Sequence, residues 1–578
     1  MPRPFGVTMY ICRIFLIVTI VLVAYLAALM VYLIPYAWLA LVAIPVVMLC
    51  KKTIHYTTHG SARWADATDI PHMLEGNGLI LGHINGKPSK VNGLKSLFDS
   101  KVSAREACQK FLIACQRKQP KYLVRLTKSV HTAVFAPTGV GKGVSCVIPH
   151  LLTCPDSMVV VDFKGENTKL TADARRKMGH RVVVLDPFEI TTNEPDTFNP
   201  LEFIDRNSRT ALDDCRDLGE SLVVRTGQEK EKHWDDSAEA WIAAMTAMVA
   251  NFAEDGDKSM QSVRTLLTNP EKMAAAIKLM CESDAWEGML SRLGHQLNHF
   301  KDKELSSVLT TANRHLRFLD TLAVAASTKA SSFNPADLLT GKLTVYLVLP
   351  PEHQRAQSPL LRMWIGSLLR AVVKGGLQET TKVHFVLDEA ASLGHMDALD
   401  DAVDKFRGYG VRLLLLYQSL GQLKKCWPEG QDQNLLSNVT QVFFGVNDQQ
   451  TAEYVSNRLG EYTQVVTSGG TSSGMSRQES QQGSNYSYSS NANANWQFAG
   501  RKLLKPEEVT VMSERVAICF TPGVPPIWTT LVRYYERDFK IPRGLGLWKV
   551  MFDTACLFLA VSILAVMFTA GLFMDSFN

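Results

Sequence analysis

Apolar residues in this chain come in short unbroken runs more than in alternation. Residues 158–163, 181–188, 343–350, 383–389, 411–419 and 441–446 are each built mainly from Val, Leu, Phe and Tyr and are bounded by turn-forming residues. A strand apolar on both faces is buried on both faces, so the pattern predicts a parallel sheet covered by helices, one of them over 359–374. Between 202 and 330 the texture changes to long helical stretches such as 238–252, which predicts an inserted, mostly helical domain. Residues 467–495 are rich in Ser, Gly, Asn and Gln, and only Arg477 and Glu479 are charged. That segment has little apolar surface to bury and is expected to be a flexible loop. No repeat of fixed period is present, which excludes a solenoid or propeller.

Two further runs have membrane length. Residues 14–50 contain no charged side chain, well beyond the ~20 residues that cross a bilayer as one helix. Pro35 divides them into two spans. Arg3 and Arg13 precede the run and Lys51 and Lys52 follow it, which places both ends, and the bulk of the chain, in the cytoplasm. The run is too long for a signal peptide and no small-residue cleavage site follows it. Residues 554–574 are also uncharged, with Arg537, Lys540, Arg543 and Lys549 upstream and Asp575 downstream. They read as a third, inside-to-outside span, the alternative being an apolar helix packed on the soluble part.

Composition narrows the class. With 578 residues, 46% apolar and 20% charged, the chain exceeds one hydrophobic core, and disorder or a fibrous repeat is ruled out. A formal charge of +5 does not mark a nucleic-acid binder, so any basic surface is local. The 11 cysteines include no Cys-x-x-Cys pair and read as buried thiols of a reducing cytosol. His55 with His59, and His295 with His299, have the spacing of a helical zinc pair, but neither first histidine is followed by glutamate.

Chemistry concentrates where a short apolar strand from Thr132 runs into Pro137, Thr138, Gly139, Val140, Gly141, Lys142, Gly143 and Val144, a Walker A-like loop before an apolar helix start. Gly139 and Gly141 let backbone N–H groups approach a polyphosphate, and the helix N-terminus adds donors. Lys142 would neutralise β- and γ-phosphate charge. The strict pattern fails twice, with Ala136 for the first glycine and Gly143 for the hydroxyl residue. Ser145 lies two helical positions on, about 200° away, so magnesium has to rely on phosphates, waters and a distant carboxylate. A strand ending in Asp388 and Glu389 supplies one: Asp388 is placed to hold hydrated magnesium, Glu389 to polarise the attacking water. An acidic pair capping the next helix is the alternative, and it loses ground beside the phosphate loop.

Farther along, Gln418 at a strand end could sense the γ-phosphate. Arg407, in the loop before that strand, could reach a neighbouring subunit's nucleotide as an arginine finger or make a surface salt bridge; the sequence does not choose. Asp162, Lys164 and Glu166 follow a strand and fit a nucleotide role or a structural turn equally. His233 with Trp234 reads as core more than partner surface, and Arg314, His315 and Arg317 as a solvated face more than a DNA path.

Several segments recur together in one family: His59 to Ala65, Gly78 to Gly82, Pro137 to Gly143, Asp162 to Asn167, Leu185 to Phe188, Phe198 to Leu201, Leu387 to Ala390 and Gln418 to Leu423. With the N-terminal hairpin, they make the chain resemble the TraG-like type IV coupling proteins, membrane-anchored ATPases of conjugative DNA transfer and type IV secretion. The Lys-Gly ending of the phosphate loop is characteristic of that branch. The resemblance implies an α/β fold, a RecA-like P-loop NTPase core with an inserted all-α domain and membrane helices. It implies ATP and Mg2+ as ligands, with Lys142, Asp388 and Glu389 in the phosphate, magnesium and catalytic roles, Arg407 as candidate arginine finger and Gln418 as strand-end glutamine. It further implies a homohexamer in the bacterial inner membrane that passes relaxase-bound single-stranded DNA, or proteins, to a type IV secretion channel. The expected division is a transmembrane hairpin over 1–52, a nucleotide-binding domain over 53–201 and 331–546, the helical domain over 202–330 and a C-terminal transmembrane helix over 547–578. That last helix is not a general family feature. The rival readings are a double-stranded DNA segregation pump, for which no winged-helix module is found, and a non-hydrolysing nucleotide-binding scaffold.

Overall fold

Seven short apolar segments line up in parallel along one side of an 11-stranded sheet. In chain order the strands of this sheet are β1 (Leu79–Asn85), β2 (Lys121–Leu126), β3 (Thr132–Phe135), β4 (Ser157–Asp162), β5 (Arg181–Leu185), β6 (Leu343–Val348), β7 (Val383–Leu387), β8 (Val411–Tyr417), β9 (Thr440–Phe444), β12 (Val516–Phe520) and β13 (Ile527–Thr530). Two more, β10 (Glu461–Ser480) and β11 (Gly483–Lys502), form a separate two-stranded sheet. The computed structural model describes residues 19, 22–23, 57–74, 76, 78–85, 121–127, 130–225, 233–428, 430–480 and 483–536.

The large sheet runs in the order β2-β1-β13-β12-β9-β3-β8-β7-β4-β6-β5. From β9 to β5 it is parallel, and β4 and β6 are buried at every position, as continuous apolar runs require. β12, β13, β1 and β2 extend it antiparallel. β8 lies between β3 and β7, so the ends of these three neighbours share one edge.

Among the described residues of 202–330 there are helices and 3-10 turns but no strand. Local signals set the boundaries: the side chain of Asn269 accepts from the N–H groups of Glu271 and Lys272 while Pro270 opens the next helix, which separates Met260–Thr268 from Pro270–Cys281. These helices share one core with the sheet, since Leu218 and Trp241 belong to the same buried cluster as Leu347 and Trp364. Trp364, on the helix Ser358–Lys374, donates its indole N–H to the Phe198 carbonyl at 3.1 Å. On the same helix the buried Arg362 donates to the carbonyls of Ser221 (3.1 Å), Val223 (3.2 Å) and Leu393 (2.9 Å). It thereby ties the helical region to the segment that follows β7.

The chain divides into two compact units, Met1–Ser61 with Glu461–Arg501, and Ala62–Gly460 with Lys502–Asn578. In the first unit, residues 467–495, expected as a loop, lie within the paired strands β10 and β11, and Ser61 bridges Tyr462. A two-stranded ribbon pairs half of its N–H and C=O groups across the ladder and leaves the outward half to water.

No helix among the described residues is long and apolar enough to cross a membrane. The expected spans over 14–50 (apart from residues 19, 22 and 23) and 554–574 lie outside the described residues.

Candidate nucleotide site

The phosphate loop leaves the C-terminal end of β3, anchored by the Ala136 N–H donating to the Tyr417 carbonyl at 3.0 Å. Gly139 and Gly141 have φ of 91° and 96°, a left-handed conformation that a side chain would strain. A Cβ on Gly141 would also crowd Val144 Cγ2 at 3.0 Å, whereas one on Gly143 would meet nothing within 4 Å. The absence of a hydroxyl residue at position 143 is therefore not forced by packing. A π-helical turn, Gly143–Val147, opens the following helix Ile148–Thr153. Ser145 Oγ is buried without a hydrogen-bond partner, and Ser145 is not part of the cavity wall.

That wall encloses about 1040 Å³ and includes Pro137, Thr138, Gly139, Gly141, Lys142, Gly143, Val144, Asp388, Glu389 and Gln418. Val140 is buried instead, and a Cβ on Gly445 would lie 2.8 Å from its Cγ1. Lys142 Nζ is enclosed and has no hydrogen-bond partner. Burial lowers its pKa, against the opposing pull of Glu389 and Asp388. Burial pushes the Asp388 carboxyl up to about 6, with Lys142 opposing the shift and Asp162 and Glu389 adding to it.

Glu389 turns the chain out of β7 in a left-handed conformation, φ 63°, before the 3-10 turn Ala390–Leu393. A non-glycine residue held there carries strain of order 1–3 kcal/mol, which the surroundings must over-determine. Two amides do so: Gln418 Nε2 donates to Glu389 Oε1 at 2.8 Å, and Gln422 Nε2 donates to the same oxygen at 3.4 Å. Gln422 Oε1 in turn accepts from the Gln418 backbone N–H at 2.8 Å. Ser419 caps the helix Leu420–Cys426 and so fixes where Gln422 emerges.

Sequence reasoning does not single out Gln422, nor Arg225, His395, Lys424 and Lys425, all of which border the cavity. The four-residue spacing of Gln418 and Gln422 across a Ser cap is the available signal. Asp162, Lys164 and Glu166 also reach the wall, but Asp162 mainly holds a turn: it accepts from the N–H and the hydroxyl of Thr168, both at 2.8 Å.

Arg407 is absent from this wall. It sits in the turn before β8, whereas Gln418 follows the C-terminal end of that strand, next to the end of β3. A seven-residue strand is about 23 Å long, so the two lie on opposite edges of the sheet. Arg407 cannot reach the cavity of its own chain. Arg314 and His315 are occupied as well, both contacting Asp235 Oδ1, at 2.8 and 2.9 Å. Trp234 packs against the core.

Comparison with known proteins decides the family. Residues 74–554 match the model of the family described as Type IV secretory system Conjugative DNA transfer. This chain belongs to that family. The match bears out the resemblance to TraG-like coupling proteins. Among relatives of this family member, Protein VirD4 of Rhizobium radiobacter is 29% identical over 495 residues, covering 83% of this chain and 65% of that protein. Conjugal transfer protein TraG of Rhizobium radiobacter is 29% identical over 419 residues, covering 71% of this chain and 63% of that protein. The chain thus spans slightly less than two thirds of these relatives. Bacterial conjugative coupling protein TrwB, solved in an unbound form, superposes with a TM-score of 0.53 at 17% identity over 71% of this chain and 88% of that one. TrwB in complex with ADP and Mg2+ gives 0.51 at 18% identity over 70% and 85%. The family member shares their fold, a RecA-like α/β core.

The residues present fit a magnesium nucleotide. The enclosed Lys142 Nζ lacks a counter-anion at hydrogen-bond distance, the glycine turn opens the backbone towards the cavity, and Asp388 presents a carboxyl there. Lys164, Lys424 and Lys425 add positive charge around the same volume, as a polyphosphate requires, whereas Arg225 is paired with Asp236 and Glu239.

Proposed function

We propose that this member of the type IV coupling family hydrolyses ATP and uses the energy to pass relaxase-bound single-stranded DNA, or proteins, into a type IV secretion channel. The observation that carries the reading is the enclosed, unpartnered Lys142 Nζ in one cavity with Asp388 and the doubly held Glu389. Lys142 would bind the β- and γ-phosphate oxygens. Glu389 would orient a water for attack on the γ-phosphorus and accept its proton, so that the bond from water oxygen to phosphorus forms as the bond to the β–γ bridging oxygen breaks, giving ADP and phosphate. Asp388 would hold magnesium through its water shell, and the ion, when bound, would neutralise phosphate charge. The solved complex of TrwB with ADP and Mg2+ supports this ligand pair.

Arg407 at the opposite sheet edge supports a site completed by a neighbouring chain with Arg407 as the finger supplied in trans, within the homohexamer that the family resemblance implies. The uncharged runs over 14–50 and 554–574, with their basic flanks, support a multi-pass protein of the bacterial inner membrane with its ATPase part in the cytoplasm. The test is phosphate release by the full chain in detergent, with and without single- and double-stranded DNA. Stimulation by single strands supports transfer. Stimulation by duplex only would favour a segregation pump, and nucleotide binding without turnover a scaffold.

A further inference from the structure

Four side chains with metal-ligand chemistry meet at the N-terminal edge of β7, away from the phosphate loop. The helix Ile148–Thr153 contributes His150 and ends at Cys154, the turn into β4 contributes Asp156, and β7 contributes His384. His150 and Cys154 are buried, at 2% and 3% exposure. Cys154 Sγ lies 3.7 Å from His384 Nε2 and 3.6 Å from Asp156 Oδ2, and the last two atoms are 3.1 Å apart. In a tetrahedral zinc site with bonds of about 2.3 Å to sulfur and about 2.0–2.1 Å to nitrogen and oxygen, S···N and S···O are about 3.6 Å and N···O about 3.4 Å. The three atoms already stand at nearly those separations.

The remaining histidine fits the next layer. His150 Nε2 is 3.2 Å from His384 Nδ1, so a hydrogen on Nδ1 donated to His150 leaves the Nε2 lone pair of His384 facing Cys154 and Asp156. The cluster opens on a cavity of about 160 Å³, ample for a water as fourth ligand. A thiolate and a carboxylate would balance a divalent charge. Lys382 and Arg412 border the same cavity, but Arg412 donates to the carbonyls of Arg407 and Val411, at 3.1 and 2.8 Å.

We propose that Cys154, Asp156 and His384 bind a divalent transition-metal ion of zinc-like preference, with His150 orienting His384. The ion would clamp the far end of the helix that follows Lys142 to the strand that carries Asp388 and Glu389. It would be a structural ion at the edge opposite the nucleotide, and it does not depend on whether ATP is hydrolysed.

The test uses the full chain in detergent, stripped with a chelator and titrated with zinc or cobalt(II) alone. The expected result is one zinc retained per chain after dialysis, and with cobalt a thiolate charge-transfer band plus the intense visible absorption of a tetrahedral ion. Cys154→Ser should abolish the charge-transfer band, His150→Gln should weaken zinc binding about 10- to 100-fold, and His295→Gln should change neither. Wild-type protein that retains no stoichiometric zinc and gives no thiolate band would overturn the proposal, whatever the folding of the variants. A thiolate band surviving in Cys154→Ser would overturn it equally.

Discussion

Gln418 Nε2 donates to Glu389 Oε1 across 2.8 Å, linking the ends of β8 and β7 at the wall of the nucleotide cavity. The carboxylate read as the catalytic base is therefore held by an amide from the neighbouring strand, and Gln422 reaches the same oxygen from one helical turn on.

Gln422 touches Glu389 and the Gln418 backbone and is read as a positioning residue. Gln422→Ala should lower kcat by up to about 100-fold, the scale of a small misplacement of reacting groups, while KM for ATP stays within about twofold. A matched rise in KM at unchanged kcat would place Gln422 in nucleotide binding instead.

Lys142→Ala should weaken ATP binding by about 10- to 100-fold, the value of one or two charge-assisted hydrogen bonds, and should depress turnover further. Equilibrium binding of a fluorescent ATP analogue measures the first effect separately from the second. Wild-type affinity in the variant would remove Lys142 from the site.

Arg407→Ala should leave the affinity of each chain for ATP unchanged and cut turnover about 1000-fold or more, as for an arginine finger. Mixed assemblies of Arg407→Ala and Glu389→Gln chains should regain part of the activity, because some interfaces then pair an intact cavity with an intact finger. Mixtures as inactive as the separate variants would contradict a finger acting in trans.

Asp388 supplies a pH dependence. Its carboxyl is raised from 3.8 to about 6, chiefly by burial, so as pH falls through about 6 the folded protein protonates it. Magnesium-dependent nucleotide affinity should fall over the same range. Without nucleotide the sign for stability is opposite: the folded state holds this proton more tightly than the unfolded one, so the stability it contributes is present below about pH 4 and lost as pH rises through 6. Asp388→Asn should therefore melt higher than wild type at pH 7.5, with the difference closing towards pH 4. Parallel melting curves at every pH would show that the carboxyl is not burdened by burial.

The central strands are legible in the sequence because burial on both faces leaves a continuous apolar run, as in Met158 to Val161, which no surface strand needs. The phosphate loop and the Asp388–Glu389 pair are legible because each is contiguous in the chain. What escapes depends on geometry made elsewhere. Gln422 enters the site only because Ser419 caps a helix at one particular turn. His384 meets Asp156 from 228 positions away, so no spacing rule could pair them. Residues 467–495 carry a loop-like composition, yet they lie in two paired strands, and backbone pairing is something to which composition is nearly blind. Arg407 is recognisable as a loop residue before a strand, but only the parallel register of β8 with β3 shows that it faces away from its own cavity.

The most direct test of the central claim is phosphate release from ATP and magnesium by the full-length chain, wild type against Glu389→Gln, with single-stranded DNA present and assembly state recorded in the same samples. The wild type should show DNA-stimulated turnover and the variant a loss of about 100-fold or more, with ATP still bound by both. Equal turnover in the two proteins would contradict the claim, and would remove Glu389 as the base on which the reading of the cavity rests.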